Sequence, residues 1–429
     1  MSWGVALRNA VGLGLGGIPS LLNAPPFAAL KFKFTETNTL DPRITFTRAS
    51  TGTFFNSAGV LSTAANDAAR FDYDPVTLAA RGLLIEEQRT NSIRNNTMQG
   101  AVAGTPGTLP NNWSIANPAG LSSQVVGTGS DGGVTYLDLR LFGTTTGTQF
   151  ALNFEPTTQV AALQNQAWSG SFFLTYVAGT ITNVGTFSTT IVERDGSGSG
   201  ITSGVNTNTL SNTNLAVNRL SNTYTLPTAT AAFVSVRFDL TLTNSAAVDI
   251  TLRIGLPQLE LGAFATSVIP TTTTALTRAA DAASMTGANF SSWYNQNEGT
   301  FVVKADTVKT SGTTPIVTAQ IAGGADRHQV LMFTQTAATV VSGVSQALIG
   351  TNAAQIAGIA YSYKLDSFAA CANGGTVSVD TSGSVPSSLT YAMLGKFDFG
   401  GGESLNGHIR SFAYYARQLS AGQLQTLTK

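Results

Sequence analysis

An all-β protein of more than one β-sandwich domain, preceded by a short N-terminal anchor segment, is the fold class this sequence predicts. Three observations predict it. Short runs rich in Val, Ile, Thr, Phe and Tyr recur along the chain, separated by Gly, Asn, Asp, Ser and Pro, the pattern of strands and turns. Long helical periodicity is nearly absent. The 429 residues exceed what one hydrophobic core usually serves, so more than one domain is expected.

Charged residues make up only 11%, against about 25% in ordinary soluble domains. Thr, Ser, Asn, Gln and Gly must clothe the surface instead, and much of such a surface suits contact with other subunits. The alternative is a monomer with a hydroxyl-rich exterior. Lys plus Arg equals Asp plus Glu at 23 each, and no basic stripe exists to neutralise phosphates, so nucleic acid is not an expected partner. The single cysteine, Cys371, excludes an internal disulfide. His328 and His408 lie far apart with no cysteine cluster near them, so neither a zinc module nor any cofactor is expected.

Residues 1–22 read MSWGVALRNAVGLGLGGIPSLL. Arg8 and Asn9 interrupt the apolar run, Gly12, Gly14, Gly16 and Gly17 weaken a helix, and no basic residue precedes the stretch. Export signal and membrane insertion are both disfavoured. A docking segment onto a larger assembly is expected, with packing onto its own domain as the alternative. Strand candidates follow at 31–34, 44–48, 135–141, 171–176, 187–193, 232–242 and 248–256. In FVSVRFDLTL, Val234, Val236, Phe238, Leu240 and Leu242 alternate with Ser235, Arg237, Asp239 and Thr241, which predicts one buried and one wet face. ERDGSGSG at 193–200 reads as a hairpin turn, and it lacks the full acidic pattern of a calcium loop. VIPTTTTALT at 268–277 reads as an extended linker. Ser420 and Gln423 form a capping-box pattern before a short helix, with Leu419, Leu424 and Leu427 on its apolar side. The resulting division is an anchor at 1–40, a first sandwich at 41–270, a linker at 271–297 and a second sandwich at 298–429.

Catalytic constellations do not emerge. Asp72, Asp74, Glu86, Glu87 and Asp195 have no spacing that forces a carboxylate pair together, as glycoside cleavage requires. Gly-x-Ser-x-Gly is absent, since GSGSG at 196–200 places Gly198 at the nucleophile position. The glycine runs at 12–17 and 400–402 lack the Lys and hydroxyl pair of a phosphate loop. The expectation is no enzyme, with a polysaccharide depolymerase as the remaining enzymatic class. Sugar binding asks only for a ring and nearby polar groups. Trp113 in LPNNWSIAN, and Trp293 and Tyr294 in SSWYNQNEG, are the glycan-binding candidates. The competing reading has these rings plugging the ends of their sandwiches. Trp168 reads as core, and His328 and His408 as surface or edge residues.

Two phrases, FDYDPVTLAARGLLIEEQRTN at 71–91 and PQLELGAFATSVIPTTTTALTRAADAA at 257–283, resemble paired signatures of phage tail-fibre and other virion proteins. The segment between them is similar to a carbohydrate-binding-module-like jelly roll, and this resemblance spans residues 41–283. EGTFVVKA at 298–305 and LNGHIRSFAYYARQLSAGQLQTL at 405–427 are similar to a laminin-G or concanavalin-like sandwich. The resemblance implies a bacteriophage virion subunit (fibre, spike or decoration), assembled in the host cytoplasm and attached to other virion proteins through its N-terminal segment. A homotrimer displaying lectin-like modules to a host-surface glycan is the expected form, and a purely structural head or collar decoration protein is the alternative. By the residues alone, Asp74-Pro75 starts a turn, Leu83 to Ile85 form a buried strand, and Arg89 pairs with Glu86 or Glu87.

Overall fold

The computed structural model describes residues 26–209, 212–333, 335–350, 354–399 and 403–429. The expected docking residues 1–22 and the glycine run 400–402 lie outside the described residues. Strands dominate, and every named strand pairing is antiparallel, so the all-β expectation holds.

A central sandwich occupies residues 114–261. One sheet orders Arg219–Thr225, Ala167–Gly179, Ala247–Leu261, Val134–Thr144 and Ser122–Asp131; the other orders Gly200–Asn208, Val184–Arg194, Phe233–Leu242, Gln149–Asn153 and Ser114–Asn117. Alternation decides which side chains meet between them. Val234, Val236, Phe238 and Leu240 face Leu137, Leu139, Ile250, Leu252 and Ile254 in one core, with Phe238 about 6 Å from the rings of Phe172 and Phe187. Gly170 lets the two sheets approach closely, since a Cβ there would come 2.5 Å from Val236. The opposite face of Phe233–Leu242 is drier than alternation predicts. Arg194 Nε donates to Ser235 Oγ at 2.7 Å and Arg237 Nε to Asp239 Oδ2 at 3.0 Å. These long side chains lie along the sheet and shield their small neighbours, which buries Ser235 and Asp239.

A framing sandwich takes the rest. Its larger sheet orders Ser378–Asp380, Ser367–Ala372, Ile356–Lys364, Glu298–Asp306, Gly407–Tyr415, Ala80–Ile85 and Phe71–Tyr73, with Leu30–Lys33 also pairing Gly407–Tyr415. The facing sheet orders Thr45–Thr47, Ala282–Thr286, Tyr391–Leu394, Thr314–Gln320, Arg327–Met332, Ala337–Val341 and Val344–Ile349. The helix Ala421–Thr428, started by the expected Ser420 and Gln423 capping box, lays Leu424 on Val302, Ala360 and Cys371.

The domain boundaries read from sequence therefore need correction. Residues 30–85, expected to divide between the anchor and the first sandwich, supply Phe32, Phe46, Phe71, Leu83 and Ile85 to the framing core. Residues 282–294, expected as linker, supply the strand Ala282–Thr286 and the rings of Phe290, Trp293 and Tyr294 to that same core. The central sandwich is thus inserted into the framing one, and the chain crosses between them twice. Strand pairing across a long insertion leaves no local trace, because hydrophobic pattern reports burial and not the identity of the partner.

A fragment of residues 298–429 lacks five strands of the framing sandwich and the core side chains Phe32, Leu83, Ile85 and Trp293. Each side-chain loss alone costs about 2–5 kcal/mol, so the four together are as large as the roughly 5–15 kcal/mol that holds a domain folded, before the missing strand pairings are counted. The fragment is expected to show no cooperative thermal transition by near-ultraviolet circular dichroism; a sharp transition would contradict the nested arrangement.

Candidate functional site

The two crossings form a neck in which Arg89–Asn91 pairs with Leu276–Arg278, and the Thr90 and Thr277 hydroxyls meet at 2.8 Å. Amides sew the returning chain down. Asn91 Nδ2 donates to the carbonyl of Ile269 at 3.0 Å and Asn96 Nδ2 to the same oxygen at 3.1 Å, while Asn96 Oδ1 accepts from Thr271 N at 2.7 Å. The Pro and Thr stretch expected as a free linker is a fixed strap, with Val268 and Ile269 buried.

Behind the neck lies a buried ion network. Arg48, Arg70, Arg278 and Asp281 are at most 2% exposed and Glu86 is 5% exposed. Asp281 accepts from Arg48 Nη1 at 3.2 Å and from Arg70 Nη2, and its Oδ2 also takes the backbone N–H of Glu86 at 2.8 Å. Glu86 accepts from Arg70 Nη1 at 2.7 Å, lies 3.5 Å from Arg278 Nη2, and takes the Ser267 N–H and Oγ–H at 2.7 and 2.6 Å. Burial opposes the Glu86 charge, yet the Arg278 and Arg70 guanidiniums hold its carboxyl well below the usual range. These residues come from residues 48–86 on one side of the neck and 267–281 on the other, so the network exists only when both crossings are in place. Arg89 pairs with Glu87 at 2.6 Å, one of its two expected partners.

A second cluster flanks the first. His408, on Gly407–Tyr415, stands between two carboxylates: Nδ1 is 2.6 Å from Asp306 and Nε2 is 3.0 Å from Asp72, while Arg410 meets Asp306 at 2.9 Å. Burial disfavours the charged ring, but Asp306 and Asp72 outweigh it and raise the imidazole to about 9. Burial also opposes the Asp306 charge, and His408 and Arg410 pull its carboxyl down. A cleft of about 160 Å³ between the sandwiches is lined by Asp72, Arg81, Glu86, Arg219, Ser267 and His408. A cationic imidazole held by two carboxylates is a poor base. The cluster's chemistry is that of a clamp.

The expected glycan-binding rings take another place. Trp113 is 6% exposed, packs edge-on against Phe154 at 4.8 Å and donates Nε1–H to the Asn95 carbonyl. Trp293 is 5% exposed and donates to the Asn289 carbonyl at 2.7 Å, and Tyr294 stacks on Phe290 at 4.6 Å. No open face remains on these rings for a sugar, because each completes the apolar end of its core. Trp168 is buried as expected. His328 and His408 are both buried, a correction to their expected surface position. His408 has two counter-charges, whereas His328 stacks on Tyr363 at 3.9 Å and is pushed down to about 3 by burial, hence neutral. Sequence reasoning missed Arg48, Arg70, Arg278, Asp281 and His408 as partners. The available signal was charge abutting buried strands, in FTRAS, ARFDYD, LLIEEQR and LTRAAD, within a chain so poor in charge.

No protein-family model and no curated protein matches the sequence. Among solved structures, the N-terminal CBM22-1–CBM22-2 tandem domain of Paenibacillus barcinonensis Xyn10C aligns with 76% of this chain and 98% of its own, at 11% identity and a TM-score of 0.25. A score that low leaves most of the two chain paths unsuperposed, so neither fold nor ligand carries over from it.

Asp281→Asn strips the charge that faces Arg48 and Arg70, and a buried pair broken on one side costs about 3–5 kcal/mol. Urea unfolding of the full chain is expected to show that loss; a change below about 1 kcal/mol would remove the network from its structural role. His408 predicts a pH dependence. Its folded value, about 9, exceeds the unfolded value of about 6.5, so its stabilisation is complete below about pH 6.5 and lost as pH rises through 9. The loss is on the order of 3 kcal/mol, and His408→Gln is expected to flatten the stability profile between about pH 6 and 10.

Proposed function

We propose that this chain is a non-enzymatic structural subunit of a tailed-phage particle, carrying two sandwiches as one stiff display unit. It attaches to other virion proteins through its N-terminal segment and assembles as a homotrimer. The observation that carries this reading is the doubled neck: the phrases resembling virion signatures hold Glu86, Arg89, Arg278 and Asp281, the residues that join the sandwiches. A joint of two chain crossings and buried ion pairs resists bending far better than one flexible linker, which suits a part that transmits load on a particle's exterior. The hydroxyl-rich exterior of a chain with only 11% charged residues suits lateral contact with further copies. Asp41, Asp74, Glu86, Asp195, Asp249 and Asp306 are all held below their ordinary values, whereas a glycosidase acid needs a raised one.

Attachment to a host glycan is the second reading, and one observation favours it. On the outward face of Gln149–Asn153, Val184–Arg194 and Phe233–Leu242, the part-exposed Arg237 stands over the buried polar side chains of Asn153, Thr190 and Asp239. With Trp113, Trp293 and Tyr294 enclosed, sugar recognition would rest on hydrogen bonds from this polar face.

Imaging of purified particles with labelled antibody is expected to place the chain on the exterior; its absence from particles would sink the virion reading. A glycan array probed with the assembled chain separates the two readings. A specific signal lost in Arg237→Ala at unchanged Tm supports attachment, and a blank array leaves the purely structural role.

A further inference from the structure

The ion network at the neck is not neutral. Among the described residues, the carboxylates within ion-pairing distance of Arg48, Arg70 and Arg278 are those of Glu86 and Asp281. Three buried guanidiniums therefore face two carboxylates. Arginine does not lose its proton in a protein, so the surplus cannot be relieved by titration, and an uncompensated buried charge is strongly unfavourable. Burial, and then Arg70, pull the Arg48 guanidinium down, and the carbonyls of Ser50, Ala65 and Ala68 that accept from it supply no full negative charge. Two buried donors, Nε of Arg70 and Nε of Arg278, also have no acceptor among the described residues.

A cavity of about 230 Å³ lies against this surplus, bounded by Ser50, Gly52, Thr53, Val268, Thr277 and Arg278. Of the three arginines, Arg278 lines the cavity, and Arg48 and Arg70 lie behind Gly52 on its wall. A Cβ at that position would stand 3.0 Å from Arg48 Nε and 3.3 Å from Arg70 Cδ, so a larger residue would press on both side chains. The cavity thus combines a wall residue from the surplus, Arg278, with room for several water-sized groups of about 30 Å³ each.

We propose that this cavity is an anion site, taking a monovalent halide or carboxylate whose charge balances the third guanidinium. The bound anion completes the neck and couples its stability to the ionic surroundings, because a ligand that binds only the folded chain stabilises it by mass action. The carboxylate could belong to a free acid or to an acidic sugar, and the two are separable by experiment.

The full chain, held at constant ionic strength with a bulky sulfonate salt, is titrated with sodium bromide, sodium acetate and sodium glucuronate while Tm is followed. A saturable rise of about 3 °C or more is expected with bromide or acetate, and loss of that rise in Arg278→Met, which leaves two guanidiniums on two carboxylates. Glucuronate acting at lower concentration than acetate assigns the site to an acidic sugar; parity or weaker action assigns it to the free ion. Should Arg278→Met fail to fold, anomalous diffraction from bromide-soaked crystals of the unaltered chain decides. A peak between Gly52, Val268 and Arg278 supports the site. Bromide confined to the surface, a Tm without saturable dependence, or an undiminished rise in a folded Arg278→Met overturns it.

Discussion

The structure depends on a burial constraint: Arg48, Arg70 and Arg278 are taken out of water, and Glu86 and Asp281 must arrive from elsewhere in the chain to meet them. Arg48 and Asp281 are 233 residues apart. Satisfying that pair requires the whole central sandwich to be threaded between them and the chain to return to its starting point. The ion network therefore acts as a register device for the double crossing as well as a source of cohesion. Buried ion pairs often contribute little net stability over apolar packing, but they are intolerant of mismatch, and intolerance is what a joint between two folded bodies needs.

Around this joint the remaining polar residues act as fasteners. Asn91 and Asn96 fix Ile269 and Thr271, Thr53 Oγ1 donates to the Val268 carbonyl, and the hairpin Gly52–Phe55 with Leu61–Ala64 lays Phe55 and Leu61 on the outer face of the central sandwich, against Val134, Phe173 and Leu256. A chain this poor in charge still buries three arginines and two carboxylates together at the neck. Its outer faces are left to Thr, Ser and Asn, which neither repel a neighbouring copy nor attract nucleic acid. That distribution fits the role proposed above, in which stiffness matters at the joint and the surfaces meet other proteins or host sugars.

The aromatic residues show how the same side chain supports opposite readings in one dimension. Trp113 and Trp293 sit among Asn and Gln in the sequence, which suits an exposed loop. In three dimensions those amides and nearby carbonyls are turn and cap groups around rings pointing inward, with the indole N–H groups bonded to the Asn95 and Asn289 carbonyls. Local polarity marks a bend in the chain, and a bend can deliver a ring to either side.

The sequence by itself determined the all-β class, the alternating core of Phe233–Leu242, the hairpin at residues 195–199 and the capped helix Ala421–Thr428. Each follows from interactions within a few residues: side-chain alternation, turn stereochemistry, or a cap bonding three positions on. Only the tertiary structure decided that residues 30–85 belong with residues 282–429, that the Thr-rich stretch is a strap, and that His408 lies between Asp72 and Asp306. These outcomes depend on which distant charge or strand fills a vacancy. Burial pattern announces that a partner is required; its identity is settled only when the folded chain brings the two together in space.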